Sequence, residues 1–146
     1  MRNAFLSATL LIAIGTSGCG PSSGLSYAPA EGVVLIDGEP AERVEVVFTL
    51  QNAPATGAKP SARAVTDAQG RFALRTLTPE KDVVEGAAVG THQVTVRTQV
   101  VEQDELGNAR VVRQETLGRK YTEGGALSVE IPNGGATDLK LEASTR

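Results

Sequence analysis

Gly90-Thr91-His92-Gln93-Val94-Thr95-Val96-Arg97-Thr98-Gln99-Val100 is the stretch that decides the fold class. His92, Val94, Val96, Thr98 and Val100 share one parity, while Gln93, Thr95, Arg97 and Gln99 share the other. Strand side chains alternate between faces, so a period of two rich in β-branched residues predicts a long strand with one buried face. The same alternation recurs on both sides. Upstream, Val44, Val46, Phe48 and Leu50 alternate with Glu45, Val47 and Thr49, and Val33 to Ile36 reads as an earlier strand. Asp37-Gly38-Glu39-Pro40 supplies a turn between them, so a hairpin is expected there. A third strand is expected near Ala62 to Thr66, with Asp67-Ala68-Gln69-Gly70 closing a second hairpin onto Phe72 and Leu74. Asp67 can bond its own turn backbone there, and Gly70 can take positive φ.

Downstream, polar residues Glu102 to Asn108 read as a hairpin loop or mobile excursion, with Val111, Val112 and Leu117 on its return. Leu127, Val129 and Ile131 alternate with Ser128 and Glu130, Asn133-Gly134 turns the chain, and Leu139 and Leu141 form the closing strand of a terminal hairpin. Leu77 to Gly90 is read as loop: Thr78-Pro79-Glu80 offers a helix start, but Gly86 and Gly90 break any continuation. Short alternating runs punctuated by Gly, Pro, Asp and Asn predict one all-β antiparallel sandwich over residues 31–146.

Composition narrows the possibilities. The 146 residues leave room for one domain plus an export segment. Aromatics are 3% of the chain and Trp is absent, so the core must be aliphatic. Formal net charge is −3; loss of Arg2 with a leader leaves 13 basic against 17 acidic residues, or −4. A chain of that sign has no electrostatic footing for nucleic acid. Cys19 is the sole cysteine, so no internal disulfide can form.

The amino-terminal residues carry the most specific chemistry. Arg2 precedes an uncharged run from Ala4 to Gly15, the length of a signal-peptide apolar region and shorter than the roughly 20 residues a membrane span needs. Thr16-Ser17-Gly18-Cys19 follows, and it resembles the lipobox of bacterial lipoprotein signals. Gly18 and Cys19 match that pattern, Ser17 is a common choice, and Thr16 departs from the usual Leu. The resemblance implies that residues 1–18 are a signal peptide and that Cys19 carries lipid: the thiol is alkylated, and the peptidase needs small side chains before the cut. Residues 19–30, rich in Gly, Pro, Ser and Ala, then read as the lipidated cysteine and a flexible tether. Gly20 stands where an inner-membrane retention signal would favour Asp, which points to the outer membrane or surface. Two other readings stay open, a secretory signal cut elsewhere with Cys19 incidental, and an uncleaved anchor.

The ordered set Gly32-Val33-Val34, Asp37-Gly38-Glu39-Pro40, Val44 to Phe48, Thr66-Asp67, Gly70-Arg71-Phe72, Leu74, Gly90-Thr91-His92, Val94 and Val96 resembles carboxypeptidase-regulatory-like, transthyretin-like domains. With Tyr121, Leu127, Val129, Gly134 and Leu141 it also looks like small planctomycete lipoproteins built on such a domain. The resemblance implies a single seven-stranded Ig-like, prealbumin-like sandwich without catalysis in most members. Fold alone does not specify chemistry.

Residue chemistry gives little to an enzyme. His92 is the only histidine, so neither a multi-histidine zinc site nor the zinc centre of a true carboxypeptidase can be assembled, and its parity makes it an inward or edge residue. Transthyretin-like hydroxyisourate hydrolases use several histidines and a Tyr-Arg-Gly-Ser ending, where this chain has Glu142-Ala143-Ser144-Thr145-Arg146. Glu102, Asp104 and Glu105, with Asp82 and Glu85, could offer oxygens to calcium, though no EF-hand spacing exists and a solvated loop accounts for them. Arg71 and Arg75 share a parity and could face an anion. Tyr27 and Tyr121 are too few to make a sugar platform, and Tyr121 before Gly124-Gly125 reads as a strand-end core anchor. No Walker or Gly-x-Gly-x-x-Gly pattern occurs. The expectation is an exported lipoprotein, no enzyme, without cofactor or metal. Its β-sandwich would serve as an envelope interaction or structural module, with weak calcium or small-anion binding as the alternative. The expected partners are the membrane, through the lipid on Cys19, and an envelope protein or polymer.

Overall fold

The computed structural model describes residues 24–53, 59–78 and 81–146, so Cys19 and the lipobox lie outside the described residues. Over these residues the chain is all-β apart from one helical turn. Its strands are β1 (Tyr27–Ala28), β2 (Ala30–Ile36), β3 (Glu39–Pro40), β4 (Glu45–Leu50), β5 (Ser61–Val65), β6 (Arg71–Ala73) and β7 (Arg75–Leu77). They continue with β8 (Val83–Glu85), β9 (Ala87–Ala88), β10 (Gly90–Arg97), β11 (Val100–Gln103), β12 (Ala109–Arg113), β13 (Leu127–Ile131) and β14 (Ala136–Ala143), and the helical turn α1 is Arg119–Thr122. Among the described residues no helix is long and apolar enough to cross a membrane.

β10 is a strand with one buried face, as its alternation predicts, though it ends at Arg97 and Val100 belongs to β11. β10 pairs with β13 on one side and β4 on the other in an antiparallel six-stranded sheet, β13-β10-β4-β5-β7-β8. His92, Val94 and Val96 point inward with Val46, Phe48 and Leu50 of β4, while Gln93, Thr95, Val47 and Thr49 line the other face. The second sheet is built on β2, flanked by β14 on one side and by β3 and β6 on the other. Val34, Phe72 and Leu141 from this sheet join Val46, Phe48, Val94, Val96 and Ile131 from the first in one apolar cluster. The rings of Phe48 and Phe72, one from each sheet, lie 6.1 Å apart. The two sheets therefore pack face to face in a sandwich-like arrangement, each buried aliphatic side chain contributing about 1.5–3 kcal/mol.

Strand partners differ from expectation where the pattern gives a strand's inward face but not its neighbour. β2 and β4 do not form a hairpin. Asp37 and Gly38, both at positive φ, make a tight turn that pairs β2 only with the two-residue β3, after which the chain crosses to the other sheet. The Asp67 turn forms as expected: its Oδ1 accepts from the backbone N–H groups of Gln69 and Arg71, both at 2.9 Å, and Gly70 has φ 71°. The strands it joins nevertheless part, with β5 staying in the six-stranded sheet and β6 pairing with β2. The terminal hairpin is likewise absent, because β14 runs parallel to β2 instead of folding back on β13.

Among the described residues there are fourteen strands, several of them two or three residues long, and β14 runs parallel to β2, so the architecture is not a seven-stranded, wholly antiparallel sandwich. Residues 77–90, read as loop, contain β8, β9 and the end of β7. These strands are too short for a period to show, and backbone pairing at the sheet margin specifies them. Tyr27, Ala28 and Ala30, read as tether, are strand residues, and both alanines are buried because β1 pairs with β9 and β2 begins at Ala30. Small alanines suit such close packing, whereas composition alone gives them a linker's look. Tyr121 is a core residue as expected, but it sits on α1 rather than at a strand end.

Candidate functional site

β11 and β12 form a two-stranded sheet that pairs with nothing else among the described residues, so both of its outer backbone edges are unpaired. Val101, Val111 and Val112 lie exposed on this arm, and Leu106 at its tip is 87% exposed. Isolated two-stranded hairpins are marginal in water, so an arm like this needs support at its root. The pairing runs Gln103 to Ala109, Glu102 to Arg110 and Val101 to Val111, then shifts so that Val100 meets Arg113. The extra residue, Val112, makes a bulge at the root.

Two charged side chains fasten that root. The Glu115 carboxylate accepts from the Thr98 hydroxyl at 2.5 Å, from the Thr98 N–H at 3.1 Å, and from the Thr116 and Leu117 N–H groups at 2.9 Å. Partial burial pushes this carboxyl up, but hydrogen bonds from Thr98, Leu117 and Gln99 outweigh it and hold the group below its usual range. The Arg113 guanidinium donates to the carbonyls of Thr98, Glu42 and Arg43, tying the return strand to the β3–β4 crossing. Arg43 in turn pairs with Glu102 at 2.5 Å. Thr98 is 5% exposed, so its amide has lost water and depends on Glu115.

At the tip, Asp104 accepts from the N–H groups of Leu106 at 2.9 Å and Asn108 at 2.8 Å and from the Asn108 side-chain amide at 3.0 Å. The Asn108 side chain, helped by these backbone amides, lowers its pKa. Its oxygens are thus committed to shaping the loop. Glu102 is held by Arg43, Glu85 pairs with Arg75 on another sheet, and no group of three or more His, Cys, Asp or Glu side chains is placed to hold a metal ion among the described residues. The acidic residues read as a calcium set are therefore not brought together. Arg71 and Arg75 are also separated, because β6 and β7 belong to different sheets. Arg71 borders a shallow open groove of about 360 Å³ over Gly32, edged by Glu31 and Asp138. Its one guanidinium stands among carboxylates, which offers an anion no convergent donor set.

His92, read as an inward or edge residue, is inward at 1% exposed, its ring tilted by 53° against that of Phe48 with centroids 5.9 Å apart. Its Nε2 lies 2.7 Å from the Ala88 carbonyl and so donates to it, leaving Nδ1 buried with no hydrogen-bond partner among the described residues. The ring is enclosed in the core between the sheets' apolar side chains. The residues missed by sequence reasoning are Glu115, Arg113 and Thr98. Glu115 belongs to no motif in the sequence, and only the fold brings Thr98 to it across 17 positions.

Strand pairing and this arm define an all-β, sandwich-like domain with a projecting two-stranded extension. No protein-family model matches the chain, and no curated protein does. Among solved structures it is similar to a 9R-lipoxygenase from Cyanothece PCC8801, at 16% identity over 94% of this chain and 18% of that one, with a TM-score of 0.41. It is also similar to BcpA, the major pilin subunit of Bacillus cereus, at 14% identity over 83% of this chain and 31% of that one, again with a TM-score of 0.41. The chain spans less than a third of either structure. Likenesses of this strength define no family, and the description of the fold rests on its own pairing.

Proposed function

We propose that this chain is an exported, lipid-anchored and non-catalytic envelope module that presents the β11–β12 arm to another envelope component. In this reading residues 1–18 are removed, Cys19 carries the lipid at the outer membrane or cell surface, and a short tether leads to a prealbumin-like β-sandwich. Acyl chains on Cys19 hold the domain at the bilayer, each buried methylene contributing about 0.8 kcal/mol. The observation that carries the reading is the arm itself. Its two unpaired edges and exposed valines stand on a root fixed by Glu115 and Arg113. Such an edge takes up an extended segment by strand addition: main-chain bonds supply affinity, and alternate side chains supply selection. The flanking charges Glu102, Arg110 and Glu105 discourage indiscriminate pairing.

A photo-crosslinking residue placed at Val101 or Val111 tests this in intact membranes. The expected result is a discrete adduct from the arm and none from the same residue at Ala73, exposed on β6 of the body. Identical adducts from both positions, or none from the arm, would contradict it.

A further inference from the structure

We infer that Asn133 is a site of self-modification, its side-chain amide converting to a carboxylate through a cyclic imide closed by the backbone nitrogen of Gly134. Asn133 and Gly134 are both exposed and occupy the middle of a turn closed by the Gly135 N–H donating to the Pro132 carbonyl at 2.9 Å. Among the described residues neither the Gly134 N–H nor the Asn133 side chain has a hydrogen-bond partner, so the attacking nitrogen and the carbonyl it attacks are both free. A Cβ placed on Gly134 would meet nothing within 4 Å, so the space beside the attacking residue is open. Opening the turn costs one solvent-exposed hydrogen bond, a small barrier beside that of the chemistry.

The atoms balance without an oxidant or reductant. The Gly134 nitrogen bonds to Asn133 Cγ, the Cγ–Nδ2 bond breaks, and ammonia leaves carrying the proton from the Gly134 N–H. Water then opens the imide. Attack at Cγ breaks its new bond to nitrogen and gives aspartate; attack at the backbone carbonyl carbon breaks the original peptide bond and gives the isoaspartyl linkage. That linkage lengthens the main chain by one carbon between β13 and β14, next to the Ala136 N–H that donates to the Pro29 carbonyl at 2.8 Å.

The other described asparagines lack this arrangement. Asn52 is followed by Ala53, whose Cβ crowds the attacking nitrogen. Asn108 precedes Ala109 of β12, and its own amide is held by Asp104. The test incubates the full chain in warm, mildly alkaline buffer and follows each asparagine peptide by mass spectrometry. Asn133 is expected to convert several-fold faster than Asn52 or Asn108, and Gly134→Ala, which fits the open space, to slow it several-fold while leaving the thermal midpoint unchanged. Conversion of Asn133 no faster than of Asn108, or an undiminished rate in the folded Gly134→Ala protein, would overturn the inference.

Discussion

At the scale of single residues, Glu115 concentrates the most consequence in the fewest atoms. Thr98 is buried, so Glu115→Ala leaves its N–H without an acceptor and should cost about 1–3 kcal/mol in chemical denaturation. The same carboxylate gives the arm root a pH dependence. Its folded pKa is below the ordinary value of 4.5, so the folded state gains stability when the group is ionised. That contribution is full above pH 4.5 and is lost as pH falls through the lowered value. Asp37 adds in the same direction: the Thr145 hydroxyl, then the Ser144 hydroxyl, lower its pKa and tie residues 144–145 to the β2–β3 turn. Amide hydrogen exchange, corrected for its intrinsic pH dependence, should show protection at Thr98 and Leu117 falling on acidification below that range in wild type. In Glu115→Gln it should be low throughout. A pH-independent protection in wild type would remove Glu115 from this role.

At the scale of elements, the arm should be the least stable folded part of the molecule, since a two-stranded sheet with solvated edges opens locally. Exchange at Val101 to Gln103 should be faster than at Val94 and Val96 of β10, whose side chains are fully buried. Arg113→Ala should widen the gap while changing the global midpoint little. A global loss equal to the local one would mean that the arm and the sandwich unfold together.

How far the elements were legible follows from what a period can carry. β4, β10 and β13 have five or more residues and one buried face, so their alternation is clear and Val46, Phe48, Val94, Val96 and Ile131 point inward as expected, although β10 ends at Arg97 and Val100 passes to β11. Of the arm, the return strand was legible at Val111 and Val112, but β11 was not: Val100 reads as the end of β10 and Glu102 and Gln103 read as loop, and Leu117 lies beyond β12. Pairing was less legible: β14 lies beside β2, and β6 leaves β5, because alternation fixes the face a strand buries and not the strand it meets. β8 and β9 are too short to hold a pattern. At the site, parity left His92 as an inward or edge residue and the fold makes it inward, whereas the Glu115–Thr98–Arg113 root depends on contacts between distant positions and leaves no trace in spacing.

At the scale of the whole molecule, two sheets enclose an aliphatic core with a pair of rings at its centre. If the sheets face each other as described, Phe48 and Phe72 should couple across them. A double-mutant cycle to leucine should give an interaction of about 0.5–1.5 kcal/mol, and additivity would argue against that packing. Leu141→Ala, on the parallel strand β14, should cost about 2–5 kcal/mol, because its side chain is 2% exposed in that same core.

In the proposed function one atom, the Cys19 sulfur, joins this body and its arm to a membrane. The most direct measurement is the intact mass of the native protein beside that of a Cys19→Ser variant, with both followed through membrane fractionation. The account predicts a wild type that begins at Cys19, carries acyl mass and sediments with the membrane, and a variant without added lipid that is released from it. An unlipidated, soluble wild type would contradict it.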